Sequence, residues 1–562
     1  MLTKLLTTTA VATALAAAMP ASVSHADGRD SWGVQHVLLL SIDGFHAVDL
    51  EVCVATGACP NLSRLTHHGI TYTNASTTKP SDSFPGLLAP VSGGTSKSTG
   101  VFYDDSYDRT LFAPGTNCQM GPGTETNLAE NIDTNLHSID GGVNASLTGL
   151  NSAVAIDPNN LPGQSVNGHC SPVWPHNFVR TNSIFGVIHK HHLRTAWTDK
   201  HAAYDIVNGN DPATQPANGP GTNIDDFFAP EINSDLSDAN IALAHTLLGL
   251  NFSTAPDPTS RGGDFTSAVD AVEFYDGLKV RATLNEINGF DHTGKTRLST
   301  PAIFGMNFQS VSVGQKLKGN GYVDTTGTPS AGLANAIAFV DRSIGQMVDA
   351  LQDRDLLEKT LVIVSAKHGQ SPIDVSKRTA LDDGTVIAGP IGANFAFDIG
   401  DDGVLIWLKD NSGSKTADAV AALNGYQGDT GIVEWLSGPL LTLNYQDPSH
   451  DARTPDIIGI ARVGVIYTGG SKIAEHGGFN EDDTHVALLI SHPDFDQESI
   501  NATVATTQIA PTILNVLGLD PDELDGVRIE GTQVLPGLSD RLAPHHTSRL
   551  ATTAASPARS DR

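Results

Sequence analysis

The chain has 562 residues, 39% hydrophobic and 17% charged, an ordinary globular composition with enough apolar side chains for a large core. Lys and Arg number 33 against 62 Asp and Glu, a net charge of −29. Such a surface repels nucleic-acid polyanions and anionic membranes, although a small anionic ligand stays admissible where local cations set the field.

Residues 1–26 read as a secretory signal: Lys4 supplies the positive start, 5–19 the Ala/Leu/Thr-rich apolar stretch, and Ser24-His25-Ala26 a small-residue cleavage site. No other run is long enough to span a bilayer, so the mature protein is expected to be secreted or periplasmic. A prior of ~150 residues per domain would allow three or four domains. The interior has no linker-like break, and one large α/β domain over 27–540 is expected, followed by a polar, disordered tail at 541–562. The four cysteines are Cys53, Cys59, Cys118 and Cys170. In an exported chain they predict two disulfides, and of the three possible pairings local closure favours Cys53–Cys59 with Cys118–Cys170.

In chain order, 36–42 is an apolar run without polar alternation, which predicts a strand buried on both faces. A helix follows at 60–65 and a short β stretch at 69–74. The sequence Pro80-Ser81-Asp82-Ser83-Phe84-Pro85 before an apolar run is a helix start. Residues 104–176 lack periodicity and predict a long surface excursion. Then come a helix at 182–189, a strand at 195–198, a loop at 208–228, amphipathic helices at 235–250 and 264–287, and a buried strand at 302–308. Apolar residues at Ile337, Val340, Ile344, Met347 and Leu351 predict a helix over 333–351, which leads into a strand at 360–365. Strands at 404–408, 457–461 and 486–491 and a helix from 507 complete the pattern. Strands alternating with helices imply a central, mostly parallel sheet covered on both faces by helices, with long loop insertions.

Two of these strands end in chemistry. The run 36–42 delivers Asp43-Gly44 and the run 360–365 delivers Lys367-His368-Gly369. In open α/β sheets, ligands bind just beyond the carboxyl ends of the strands, so Asp43 and His368 are expected to share a site. Carboxylate and imidazole suit Zn²⁺ or a similar divalent ion. Ser83, at a helix start where backbone N–H groups favour an anion, is a candidate nucleophile; a helix cap is the simpler role for it taken alone.

The ordered motifs Ser41-Ile42-Asp43-Gly44-Phe45, Pro80-Ser81-Asp82-Ser83-Phe84-Pro85-Gly86, Gly100-Val101-Phe102-Tyr103-Asp104, Ala366-Lys367-His368-Gly369 and Glu475-His476-Gly477-Gly478 resemble the alkaline phosphatase superfamily, specifically its type I phosphodiesterase / nucleotide pyrophosphatase branch. The resemblance spans roughly 35–535 and implies an alkaline-phosphatase-like α/β fold. It also implies a phosphoric-ester hydrolase with a small phosphate-ester substrate, two adjacent Zn²⁺ ions and a Thr or Ser nucleophile that becomes phosphorylated. On that resemblance Ser83 matches the nucleophile, Asp43 and His368 match ligands of the metal beside it, and His476 matches a ligand of the second metal.

The chain departs from the pattern at three places. Lys367 stands where the family has Asp, and an ammonium cannot bind metal while protonated. Segment 309–315 lacks the Asp and His that the family places there. Asp104 replaces the asparagine that contacts a phosphate oxygen. One divalent ion, held by Asp43, Ser83 and His368, is therefore expected rather than two, or none, with Lys367 acting as a point charge on an oxyanion or pairing with Asp104. Hydrolysis of a phosphodiester or nucleotide pyrophosphate bond is the expected activity; a catalytically weak binding homologue and a phosphonate or sulfate ester hydrolase are the alternatives. Asp199 and His201, or Asp291 and His292, are possible substitute ligands, each more simply a hydrogen-bonded loop. His189, His191 and His192 read as a solvated helix end, and no basic, aromatic-interleaved patch for nucleic acid is present.

Overall fold

The apolar runs form strands that stack edge to edge. In a computed structural model that describes residues 33–128, 130–143, 151–247, 258 and 262–538, the strands that matter here are β1 (His36–Ile42), β2 (Gly69–Tyr72), β3 (Ala196–Thr198), β4 (Asp226–Phe228), β5 (Ile303–Phe308), β6 (Thr360–Ser365), β7 (Phe395–Ile399), β8 (Val404–Leu408), β9 (Ile432–Ser437), β10 (Ile457–Ala461), β11 (Leu488–Ser491) and β12 (Glu498–Ile500). Eight of them build the main sheet in the order β12-β2-β11-β6-β1-β5-β3-β4. All pairings toward β4 are parallel, and β11 alone runs antiparallel to its neighbours β6 and β2. The expected signal at 1–26 and tail at 541–562 lie outside the described residues.

The helices used below are α1 (Ala47–Ala55), α2 (Pro60–His67), α3 (Ser83–Ser92), α4 (Ile184–Lys190), α5 (Val269–Ile287), α6 (Ser310–Lys316), α7 (Ala331–Asp353) and α8 (Ile509–Val516). Side chains alternate across a strand, and the alternation divides the core in two. Val37, Leu39, Ile303, Leu361 and Ile363 pack with Phe84, Leu87 and Val91 of α3, Phe185 of α4 and Ile513 of α8. Leu38, Leu40, Ile42, Phe304, Met306 and Val364 pack on the other face with Leu62 and Leu65 of α2, Val280 of α5, and Ile337, Ile344 and Met347 of α7. Covering both faces is what makes the central strands read as continuous apolar runs. Helix α7 starts where Ser330 Oγ accepts the Leu333 N–H, at 3.3 Å.

The expected alternation of strand and helix breaks down after residue 394. Strands β7, β8, β10 and β9 form a separate antiparallel sheet in that order. The turn between β7 and β8 is too short for a parallel crossover, and Leu405, Trp407 and Ile458 bury this sheet against Phe102 and Tyr103. The loop expected at 208–228 ends in β4, whose three residues are too few to show a period. The excursion at 104–176 carries two short hairpins, 105–127 and 163–172. The disulfides are Cys53–Cys59 and Cys118–Cys170, as the spacing implied.

Register fixes the site. Ser41 of β1 is level with Asn307 of β5 and with Ser365 of β6, and Met306 is level with Thr198 of β3. The carboxyl ends of four parallel strands therefore coincide, and the residues just past them share one rim: Asp43, Gln309, Lys367-His368 and Asp199-Lys200.

Candidate active site

Each strand end turns by a definite device. Gly44 sits at φ +80°, in the left-handed region, and its N–H donates to the His368 carbonyl at 3.1 Å, which ties the ends of β1 and β6 together. Helix α3 approaches the same corner through Gly86, where an added Cβ would lie 2.4 Å from the Lys367 carbonyl oxygen. The Thr77 hydroxyl donates to that carbonyl at 2.5 Å. Asp82 caps α3, accepting the Phe84 N–H at 3.0 Å, so Ser83 is the first helical residue rather than the cap.

Ser83, buried at that point, lies between a base and a cation. Its Oγ is 3.3 Å from His368 Nε2 and accepts a hydrogen bond from Lys200 Nζ at 3.2 Å. His368 Nδ1 donates to the Gly369 carbonyl at 2.8 Å, which leaves the Nε2 lone pair facing Ser83. Burial holds His368 down at about 3, an effect that Asp43 partly opposes and that Lys316 and Lys200 reinforce, so the ring is neutral.

Asp43 is buried in the midst of donors. Its Oδ2 accepts from Gln309 Nε2 at 2.5 Å and Asn307 Nδ2 at 3.3 Å, and lies 3.5 Å from Lys367 Nζ, 3.8 Å from Lys200 Nζ and 3.9 Å from His368 Nε2. Among the described residues Oδ1 has no hydrogen-bond partner. Burial pushes this carboxyl up, but the charges of Lys367 and Lys200 and the Gln309 hydrogen bond outweigh it and hold it well below the usual range. Lys367 is fully buried. Its ammonium also reaches Asp199 Oδ1 at 3.5 Å, donates to the Tyr204 hydroxyl at 2.9 Å and stands 4.2 Å from that ring's centre. Lys200 is the more accessible cation, its side chain 14% exposed against 0% for Lys367.

The other sequence candidates divide. Asp199 joins the rim as the counter-ion of Lys367 and accepts from Asn307 at 3.2 Å and Trp197 Nε1 at 2.9 Å. His201 turns away onto Glu231, at 2.9 Å. His292 is bound to Asp226 at 2.5 Å, and Asp291 accepts from Thr293 and from the backbone of Lys295 and Thr296 in its own loop, so this pair supplies nothing to the rim. His189 and His191 pair with Asp225 and Glu523 at the end of α4. His476 lies with its ring centre 3.9 Å from that of His368 and its Nδ1 3.8 Å from Asp82 Oδ2; among the described residues neither of those two polar atoms has a hydrogen-bond partner. Burial pushes Asp82 well up, with Asp104 adding to it, and pushes Asp104 up as well. The expected Lys367–Asp104 pair is replaced by Lys367 with Asp43 and Asp199, because those two carboxylates follow β1 and β3, which end at the same level on either side of β5. Lys200 is the rim residue, in contact with Ser83 and Asp43, that the sequence did not single out. Its signal was its position two residues past the end of strand β3.

The expected metal does not fit this donor set. Asp43 Oδ2 is already the acceptor for two amides and the neighbour of two ammonium groups. At ~4 Å and an effective dielectric of ~20, two unit charges of like sign repel by about 4 kcal/mol, and a dication would double this against each lysine. Among the described residues no group of three His, Cys, Asp or Glu side chains is arranged to hold a metal ion. The amides of Gln309, at the N-cap of α6, and of Gln315, within it, stand in the segment where carboxylate and imidazole ligands were missing from the sequence.

The mostly parallel sheet covered on both faces, with its strand ends gathered at one carboxyl rim, is an alkaline-phosphatase-like α/β fold. The chain belongs to the family described as type I phosphodiesterase / nucleotide pyrophosphatase, whose model matches residues 37–486. Among solved structures, the wild-type alkaline phosphatase PafA is similar with a TM-score of 0.54 at 14% identity, over 87% of this chain and 96% of that one. A multiply substituted variant of PafA gives 0.56 at 14% identity over the same shares, 87% and 96%. Murine ectonucleotide pyrophosphatase / phosphodiesterase 5 gives 0.50 at 14% identity over 87% and 96%. At such identities these likenesses speak for the fold. No curated protein sequence matches significantly. Among the described residues no helix is long and apolar enough to cross a membrane.

Proposed function

We propose that this chain is an exported phosphoric-ester hydrolase in which Ser83 attacks phosphorus, and that residues 27–540 form its α/β domain behind a cleaved signal. The observation that carries the reading is Ser83 Oγ between His368 Nε2, at 3.3 Å, and Lys200 Nζ, at 3.2 Å. The two disulfides support an oxidising compartment.

In the first step the Ser83 Oγ–H proton passes to His368 Nε2 and Oγ bonds to phosphorus. The bond from phosphorus to the leaving oxygen breaks, and that oxygen departs as an anion that takes a proton from solvent. In the second step water attacks the phosphoserine and gives up one proton to solvent, the Oγ–P bond breaks, and His368 returns its proton to Oγ. A base held as low as His368 needs help. The negative charge of a bound ester offsets the nearby ammonium groups and raises it, while Lys200 stabilises the forming alkoxide. Lys200 and Lys367 are matched by Asp43 and Asp199, so the rim has little excess positive charge. That balance supports a monoanionic ester, such as a diester or nucleotide pyrophosphate, over a dianionic monoester.

The test is release of nitrophenolate from bis(p-nitrophenyl) phosphate by the purified protein. Ser83→Ala is expected to abolish it, and wild-type protein quenched during turnover is expected to carry phosphate on Ser83. Equal rates in Ser83→Ala remove the nucleophile. A catalytically weak anion-binding homologue is the second reading, favoured by the low basicity of His368. Under it, Ser83→Ala and wild type bind the ester equally and neither turns it over.

A further inference from the structure

The rim keeps the donor spacing of a metal site and has lost its charge. Ser83 Oγ and Asp43 Oδ2 lie 3.3 and 3.9 Å from His368 Nε2, distances that ligands of one small ion also show. Yet the positive charge among them is organic. Lys200 Nζ touches Ser83 and pairs with Asp43, and Lys367 Nζ bridges Asp43 and Asp199. The amides of Gln309 and Asn307 occupy the remaining approaches to Asp43 Oδ2.

Both ammonium groups are fixed rather than draped over the surface. Lys367 is held by two carboxylates, by the Tyr204 hydroxyl at 2.9 Å and over the Tyr204 ring. Tyr204 is in turn stacked on Phe84, the residue after Ser83, with ring centres 4.6 Å apart. Lys200 stands two residues past the end of β3, and its backbone N–H is bound by Asp199 Oδ1 at 2.9 Å. A cation held in place before the reaction needs no reorganisation as charge develops on oxygen.

We infer that Lys200 and Lys367 take the place of the resident metal ions, so that the protein carries no divalent ion and its chemistry is metal-independent. Lys200 is the catalytic cation, in contact with the Ser83 oxygen as it loses its proton. Lys367 is a positioning residue that fixes Asp43, Asp199 and Tyr204 around it. This inference rests on the proposed hydrolysis for what the lysines do in the reaction, and on nothing but the rim for the absence of metal.

Wild-type protein produced in zinc-replete medium and dialysed against zinc, magnesium and manganese in turn is assayed for bound metal by mass spectrometry. Less than about a tenth of an equivalent, with a melting midpoint and a rate unchanged by EDTA, is expected. One equivalent or more, lost to EDTA together with a fall in the midpoint, overturns the inference. Lys367→Asp returns a carboxylate beside His368; folded, it is expected to gain about one zinc and a zinc-dependent rise in midpoint, and a folded variant that gains neither counts against the exchange of charge for metal. Should Lys367→Asp not fold, Lys200→Gln decides. Its rate is expected to fall about 100-fold or more with an unchanged midpoint and no rescue by added zinc, as for removal of a preorganised donor at a developing oxyanion; rescue by zinc overturns the inference. A metal-free protein inactive on every ester removes the hydrolase reading alone, and an active protein with bound zinc removes this inference alone.

Discussion

Replacing Lys367 by methionine tests whether the charges at the rim hold the fold together. Methionine matches the lysine stem in length, so the volume change is small and the perturbation is electrostatic. Lys367 Nζ faces Asp43 and Asp199 at 3.5 Å each, with no exposure of its side chain. At an effective dielectric of ~20, each pair is worth about 4–5 kcal/mol before the cost of burying the ammonium is counted. Removing one partner of a buried pair leaves uncompensated charge and costs ~3–5 kcal/mol net. Urea unfolding at pH 7 is expected to register that loss. The sign with pH follows from Asp43, which is held below its ordinary value and so contributes stability above the ordinary carboxylate range that is lost as pH falls through its folded value. Without Lys367 that contribution is gone, and the gap between variant and wild type is wide from neutral pH down to about pH 4 and closes only as pH falls below that, toward the folded value of Asp43. Adding Asp199→Asn removes the stranded charge and is expected to recover more than ~1 kcal/mol. A loss below ~1 kcal/mol in Lys367→Met, or no recovery in the double variant, refutes the reasoning.

Further outcomes are expected. Burial holds protons on Asp133, Glu231 and Asp401, each at about 8, and on Asp483 at about 7. The unfolded chain releases those protons near pH 4, so stability falls as pH rises from there to about 8, and the melting midpoint is expected to be higher at pH 5.5 than at pH 8.5. Asp104 is pushed up by burial, so its ionisation at rising pH sets a negative charge beside an anionic substrate; Asp104→Asn is expected to raise kcat/KM on the alkaline side and flatten the pH profile there. Gly86→Ala drives a methyl to 2.4 Å from the Lys367 carbonyl and is expected to cost ~1–3 kcal/mol with a fall in rate, because backbone must move at the rim. Replacing Cys118 and Cys170 by serine frees a loop of sequence separation 52 and is expected to cost about 4 kcal/mol, against about 2 for the separation of 6 at Cys53–Cys59, by loop-closure entropy; a larger loss at the shorter loop would contradict it.

Much of the fold was legible because its signals are local. Continuous apolar runs at 36–42, 302–308 and 360–365 marked strands covered on both faces, and the 3.6-residue spacing from Leu333 to Leu351 marked α7. Strand β4 was hidden by its length, and the antiparallel sheet of β7 to β10 by the fact that burial of a strand says nothing of its direction. Of the rim, Asp43, Ser83 and His368 were readable because each ends or begins an apolar element.

The sequence by itself determined which side chains reach the carboxyl ends of the strands, since alternation and register follow from local pattern. Only the tertiary structure decided how their charges combine. That Lys200 meets Ser83, that Lys367 faces Asp199 rather than Asp104, and that Gln309 and Asn307 close on Asp43 depend on four strands stopping at one level. Electrostatic energy falls with distance through space, and separation along the chain carries no record of that distance.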